Sequence, residues 1–229
     1  MVEQLLREWP PGYGGVERVA HELASVWGGA VYSLDVQHQA LTAKDPLAVG
    51  YPRQRLPTTK LFGRLHVPLA SRVFWHLLLS PNPLHGHLPS PAVLMMLVMA
   101  RLIRPRRRVT AHWHSFLEPG RGINGFLFAI YQWLALRLVR QLSAVVTTSP
   151  VLAQELQRCG CPPHRVSVLP CCLSAQQEHA ALGLQRRQRR VGSPLQVLFI
   201  GRLDSYKRLD WLLRALAMVQ ASWHLVVVG

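Results

Sequence analysis

The feature that most constrains this chain is its repeated alternation of short, strand-like apolar runs with longer segments whose apolar residues recur at helical spacing. Residues 2–6 form the first such run and residues 10–15 a Pro/Gly breaker cluster, after which Val16, Val19, Ala20, Leu23 and Trp27 follow a helical period. Residues 30–36 read as the next strand and residues 74–79 as another, with an irregular stretch containing Pro and Arg between them. After Ser80-Pro81-Asn82-Pro83 the pattern predicts a helix over 91–103, a basic turn at 104–108 and a strand over 109–112. Gly120, Gly122 and Gly125 lead into a helix over 126–140, followed by a strand at 144–148. Ser149 then caps a helix with Pro150 at its first position, and residues 165–169 form a closing strand.

Strands separated by helices imply a parallel sheet covered on both faces, because a parallel crossover needs the length that a helix supplies. The expectation is an α/β, Rossmann-like domain over residues 1–173. Residues 174–194 change character, with few large apolar side chains and the run Arg186-Arg187-Gln188-Arg189-Arg190, and read as an interdomain linker. The alternation then restarts with a strand at 195–200, a helix at 209–219 and a strand at 223–228, the opening unit of a second Rossmann-like domain over 195–229.

Charge bounds the class of partner. The 26 Lys and Arg residues against 11 Asp and Glu give a net charge of +15, which favours phosphate-bearing partners or an anionic lipid surface. The cysteines, Cys159-Gly160-Cys161 and Cys171-Cys172, lack the C-x-x-C spacing of a structural zinc site and read as reduced thiols. Met1-Val2-Glu3-Gln4 has no basic n-region, so a cytosolic location is expected. The apolar stretches 91–103 and 125–139 are shorter than a membrane span and contain Arg101 and Arg137, so both are expected to be buried helices.

Open parallel sheets bind ligands at the carboxyl ends of their strands, where helix N-termini offer free backbone N–H groups. Gly14-Gly15 follows the first strand and precedes a helix, so it is either a tight turn or a close approach for a phosphate or sugar. His112-Trp113-His114-Ser115 ends a strand, where an imidazole can hydrogen-bond a sugar hydroxyl or a phosphate, or serve a polar structural cluster. His112 and His114 share a strand face, but no third ligand is apparent, so no metal site is expected. Gly201-Arg202-Leu203 through Tyr206-Lys207 places two cations just before a helix start, a pattern suited to a diphosphate or to a solvated basic loop.

Taken in order, these segments resemble the group-1, or family 4, retaining glycosyltransferases of the two-domain GT-B fold. Residues 10–19, from Pro10-Pro11-Gly12-Tyr13-Gly14-Gly15 to Glu17-Arg18-Val19, resemble that family's first loop and helix, and Pro81-Asn82-Pro83-Leu84 its second loop. Residues 109–115 resemble the strand bearing its active-site histidine, with His114 the better match. Residues 148–150 and 166–172 resemble the strands closing the first domain, and residues 199–207 the opening of the donor domain.

The resemblance implies a first domain that binds the acceptor and a second that binds a UDP- or GDP-linked hexose, with transfer to a lipid-linked or saccharide acceptor and retention of configuration. It implies no cofactor and no metal beyond the nucleotide-sugar co-substrate, since protein cations stabilise the leaving group. It assigns Arg202 and Lys207 to the diphosphate, Gly14, Gly15 and Gly201 to the donor, and His114 to the transferred sugar. On the acceptor side it places Glu17, Arg18, Asn82, His112 and Ser115. It also implies a cytoplasmic protein, peripheral at an anionic membrane face. The family's downstream Glu-x7-Glu motif is absent through Gly229, so the chain is expected to be truncated in the donor domain and inactive alone, with Trp211, Leu212, Leu216 and residues 226–228 uncovered. Arg208 stands where many members carry Gly, and Phe116 where a close subgroup has Asp. The alternative readings are an inactive remnant that binds anions or a membrane surface, and a nucleic-acid binder using the arginines of 104–108 and 186–190, which lack interleaved stacking aromatics.

Overall fold

The computed structural model describes residues 1–12, 14–42, 49–62, 65–117, 122–171, 175–184, 192–201, 203–204 and 207–229. The chain divides into two compact units, residues 1–174 and 175–229.

In the first unit, strand β1 (Glu3–Leu6) leads to helix α1 (Gly15–Trp27), strand β2 (Val31–Ser33) and the short helix α2 (Gln39–Thr42). Strand β3 (Arg53–Arg55) precedes an antiparallel pair, β4 (Thr58–Phe62) and β5 (Leu65–Pro68). Helix α3 (Arg72–Leu79), strand β6 (Leu84–Leu88), helix α4 (Pro91–Ile103) and strand β7 (Val109–Trp113) follow. Helix α5 (Gly122–Val139), strand β8 (Ala144–Thr147), helix α6 (Pro150–Arg158) and strand β9 (Val166–Val168) complete the unit. Seven strands form one sheet in the order β3-β2-β1-β6-β7-β8-β9, and every neighbouring pair in it is parallel. The expected Rossmann-like α/β fold is what the chain adopts. Strand order reverses between β1 and β6, the position where such sheets open a ligand crevice beyond their carboxyl ends.

One face of the sheet carries the main core. Leu5, Tyr32, Leu84, Ala111 and Trp113 pack there with Leu77 and Leu78 of α3 and Met96 and Leu97 of α4, all at or near zero exposure. Each large side chain so buried contributes about 1.5–3 kcal/mol. A smaller cluster of Leu6, Ala20, Ala24, Val31 and Tyr51 lies where α1 covers the sheet.

Several expectations need correcting. Residues 74–79 are helical: Ser71 Oγ accepts from the Phe74 backbone N–H at 3.2 Å, and Phe74, Leu77 and Leu78 form a buried i, i+3, i+4 stripe. Strand β6 falls in a segment read as connection, because its sequence, Leu-His-Gly-His-Leu, has little β-propensity and lies between prolines. Helix α4 is buried as expected, but α5 is not. It is apolar on every side, so seating Ala135 and Val139 on the core leaves Phe126 (67% exposed) and Trp133 (57%) on the outside. No helix among the described residues is long and apolar enough to cross a membrane.

The second unit begins with helix α7 (Ala175–Leu182), inside the stretch read as linker. Strands β10 (Leu195–Ile200) and β11 (Trp223–Val228) pair in parallel over six residues, with helix α8 (Leu209–Ala217) between them in sequence. Trp211 and Val226, Val227 and Val228 are exposed as expected, whereas Leu216 is buried and Leu212 half-buried. Leu209, Leu212 and Leu216 fall on one stripe of α8, and that stripe is its inner one.

Candidate functional site

The turn after β1 delivers its glycines to the start of α1. Gly14 is the N-cap, in extended backbone, and Gly15 is the first helical residue. A Cβ on Gly14 would fall 1.9 Å from Glu17 Oε2, so the buried Glu17 carboxylate lies directly over it. A Cβ on Gly15 would meet nothing within 4 Å, and the space above this helix start is open. Arg18 is exposed, and its backbone N–H bonds Gly14 O.

The adjoining strands carry a group of four histidines. Parallel register sets His85 beside Thr110 and His87 beside His112, so both residues of β6 share a sheet face with the two histidines foreseen on and just past β7. His85 Nε2 lies 3.3 Å from His112 Nδ1, and His87 Nδ1 lies 3.0 Å from His114 Nε2. The rings of His112 and His114 stack at 4.2 Å, and His85 meets both His87 and His112 edge-on. Gln4 of β1 and Thr110 of β7 close the group by accepting at His87 Nε2 (2.9 Å) and His85 Nδ1 (2.7 Å). Trp27 at the end of α1 packs edge-on against His85.

Burial keeps these rings neutral. It pushes His85 down to about 3, with His112 and His114 adding repulsion, and His112 to about 4. His114, the half-buried member at the strand end, is held at about 3 by burial and by His112, and His87 is held well below its ordinary value. A neutral imidazole at the mouth of the crevice can give or take one hydrogen bond without carrying charge.

His85 and His87 were not foreseen. Their signal was present in the sequence, since His-Gly-His repeats the spacing of His112 and His114, but it becomes readable only once residues 84–88 are recognised as a strand. The absence of a third nitrogen ligand beside His112 and His114 is likewise a sequence impression: His85 and His87 stand on the neighbouring strand.

Other expected site residues lie elsewhere. Asn82 precedes β6, at the amino end of the sheet, where its Nδ2 donates to Glu3 Oε1 at 3.2 Å and its carbonyl accepts from Arg107 Nε at 2.6 Å. It is at the opposite end of the strand from His87, because the turn that reaches the carboxyl end is the one at Leu88-Pro89-Ser90. Ser115 is exposed just past β7. Of the basic turn, Arg107 is buried in an ion pair with Glu3 at 2.7 Å, while Arg104, Arg106 and Arg108 are exposed. Arg202 and the arginine run 186–190 lie outside the described residues.

In the second unit, Gly201 ends β10 with φ 151, in the region that favours glycine, and its N–H bonds Val228 O. A Cβ there would lie 4.0 Å from Lys207 Cε, so the lysine stem runs beside the strand end. Arg208, the N-cap of α8, has left-handed backbone at φ 55.

A sequence profile described as Glycosyltransferase Family 4 matches residues 13–177, well over half of the chain. The chain belongs to Glycosyltransferase Family 4. The family match covers the glycine turn, the four histidines and the strands that carry them. Among solved structures, the chain is similar to Anabaena Alr3699/HepE in complex with UDP-glucose, with TM-score 0.68, 19% identity, 100% of this chain and 60% of that one covered. The complex of HepE with UDP and glucose gives 0.66, 16%, 99% and 60%, and that with UDP alone 0.64, 16%, 100% and 61%. The likeness shows a common GT-B fold, and the chain spans about three fifths of the HepE chains. No curated protein matches it.

Proposed function

We propose that this Family 4 chain supplies the acceptor-side domain, and the first donor-side unit, of a retaining hexosyltransferase that uses a UDP- or GDP-sugar. The observation that carries the reading is His114, neutral and half-exposed at the carboxyl end of β7, next to the point where strand order reverses. There it would hydrogen-bond the transferred sugar near its anomeric carbon, with His87 fixing the ring through the 3.0 Å contact. Gly15, with open space above it, leaves room for donor phosphates at the N-terminus of α1. Lys207, beside Gly201, and Arg202 would neutralise the diphosphate as it leaves, the role a metal plays in other transferases. That HepE was solved with UDP and with UDP-glucose favours the uridine donor.

The acceptor is proposed to be lipid-linked, of the kind used in cell-envelope polysaccharide assembly, at the cytoplasmic face of a membrane. Helix α5 supports this, because Phe126, Phe128, Ile130 and Trp133 are exposed on a segment that also carries exposed Arg137. The test is calorimetric titration of the purified chain with UDP-glucose and with GDP-mannose, followed by a radiolabelled transfer assay in anionic vesicles carrying lipid-linked acceptor. Uridine-sugar binding that is lost in Arg202→Ala/Lys207→Ala supports the donor assignment. Binding without transfer leaves a donor-binding module. Absence of binding to either nucleotide sugar overturns the proposal in favour of an anion- or membrane-binding remnant.

A further inference from the structure

We infer that His85, His87 and His112 form a binding site for one divalent transition-metal ion of zinc type, buried beneath the carboxyl end of the sheet where β1, β6 and β7 meet. Their nitrogen atoms lie within 4.8 Å of one another, and all three residues are buried. The hydrogen bonds on their outer sides determine which atoms face inward. Gln4 Nε2 donates to Ala20 O at 3.2 Å, which turns Gln4 Oε1 toward His87 and makes His87 Nε2 the protonated nitrogen. Thr110 donates its hydroxyl hydrogen to Leu84 O at 3.4 Å, so its oxygen accepts from His85 Nδ1. What remains on the inner side is a lone pair on His85 Nε2 and another on His87 Nδ1. An oxygen acceptor behind each ligating imidazole is the arrangement that orients histidines on a metal and raises their basicity.

His112 supplies the third donor. Its Nδ1 faces His85 Nε2, and its Nε2 is fully buried with no hydrogen-bond partner among the described residues. An ion bound through Nδ1 places the ring proton on Nε2 and leaves that N–H without a partner, so this nitrogen counts against the ion's affinity and the spacing of the cluster carries the assignment. The spacing is close to what such an ion needs. Zinc–nitrogen bonds of about 2.0–2.1 Å set tetrahedral edges of about 3.3 Å, and His85 Nε2 and His112 Nδ1 are 3.3 Å apart. Three neutral imidazoles with no carboxylate or thiolate among them select zinc, nickel, copper or cobalt over magnesium or calcium. The ion sits beneath the proposed transfer site and is structural, not a Lewis acid for the leaving group. Because His114 Nε2 approaches His87 Nδ1 at 3.0 Å, the ion competes with His114 for that lone pair.

The test uses the whole chain, stripped with chelator, kept reduced and titrated with Co²⁺ as a visible stand-in for Zn²⁺. One equivalent is expected to bind, giving visible bands without a thiolate-to-cobalt charge-transfer band, to be displaced by Zn²⁺ and to raise the melting temperature. His85→Gln and His112→Gln are each expected to weaken binding at least about a hundredfold. Gln4→Met, which removes the acceptor behind His87 together with the Gln4–Ala20 hydrogen bond but no ligand, should weaken it about tenfold or more. His164→Gln, an exposed histidine far along the chain, should leave it unchanged. Zinc-edge X-ray absorption on the unmutated chain needs no variant to fold, and is expected to show three imidazoles and no sulfur. Absence of cobalt binding, binding that survives loss of His85 and His112, a sulfur ligand, or fewer than three imidazoles overturns the assignment and leaves the cluster a hydrogen-bonded core.

Discussion

Arg208 occupies left-handed backbone at φ 55, which costs a residue with a Cβ about 1–2 kcal/mol relative to glycine. This explains why resemblance to the family leads one to expect glycine there. The arginine recovers part of that cost: it pairs with Asp210 at 3.5 Å and lies 4.1 Å over the Trp211 ring. An exposed ion pair contributes about 0–1 kcal/mol and an exposed cation–π contact about 0.5–1, so strain and contacts nearly cancel. Arg208→Gly is therefore expected to shift stability by no more than about 0.5 kcal/mol, whereas Arg208→Val, which keeps the strain and loses both contacts, should cost about 1–2. Urea unfolding followed by tryptophan fluorescence would separate these outcomes, and equal losses in the two variants would refute the cancellation. The histidine cluster makes a second residue-level prediction, for metal-free protein in chelator. His85, His87, His112 and His114 are held neutral by burial, so below about pH 6.5 the unfolded chain binds protons that the folded chain refuses. Among the described residues no carboxylate hydrogen-bonds these rings: the side chains bonded to or packed against them from β1, β7 and α1 are Gln4, Thr110 and Trp27. Their contribution is complete above about pH 6.5 and is lost as pH falls toward 4 and then 3, at up to about 1.4 kcal/mol per pH unit for each ring. Denaturation at pH 7.5 and pH 5 should show a clear loss at the lower value, and a flat profile would mean that the rings are already solvated.

Strand β6 shows how an element can be essential to a fold and nearly invisible in its sequence. Gly86 pairs with Leu5 on one side and Ala111 on the other, and a Cβ on it would come within 2.7 Å of both Leu97 methyl carbons. The glycine is there because helix α4 presses on the strand at that point. Gly86→Ala should therefore destabilise the first unit by about 1–3 kcal/mol through overpacking, and adding Leu97→Ala should relieve the clash while opening a cavity of its own. A double-mutant cycle in denaturant checks this, with strict additivity counting against it. The elements that were legible had strong local grammar. Helix α1 has a glycine turn and a long apolar period, and α6 has Ser149 accepting from Leu152 N at 3.2 Å ahead of Pro150. Residues 74–79 were ambiguous because Phe-Trp-His-Leu-Leu-Leu satisfies period 2 as readily as 3.6, and the cap that decides between them, Ser71, lies upstream. The same gap hid half of the candidate site. His112 and His114 could be read from a β-branched strand, but His85 and His87 become their neighbours only through β6 register, which is a tertiary fact.

Across the whole first unit, the two ends of the sheet are chemically opposite. The carboxyl end holds neutral imidazoles and an open glycine turn, whereas the amino end is closed by a charged knot. Glu3 begins β1 and Arg107 lies just before β7, with 1% and 4% exposure for the Arg107 and Glu3 side chains and a 2.7 Å contact between them. Ser80 Oγ donates to Glu3 Oε1 at 2.8 Å, and Arg107 also donates to Leu77 O and Asn82 O, so the end of α3 and the approach to β6 are tied to the same pair. Burial pushes the Arg107 guanidinium down, and the adjacent Glu3 carboxylate opposes that. A buried pair of this kind adds little beyond what well-packed apolar groups would provide, but removing one partner strands the other charge without water. Arg107→Met is accordingly expected to destabilise the first unit by about 3–5 kcal/mol, a large part of a domain's total stability. Glu3→Leu/Arg107→Met should recover much of that loss but not all, because Ser80 and Asn82 would then lack their acceptor. By contrast Arg106→Met, at an exposed position three residues before β7, should change stability by less than about 0.5 kcal/mol. If Arg106→Met and Arg107→Met prove equally mild in urea titration, the amino end is held by packing alone and the buried pair adds nothing to it.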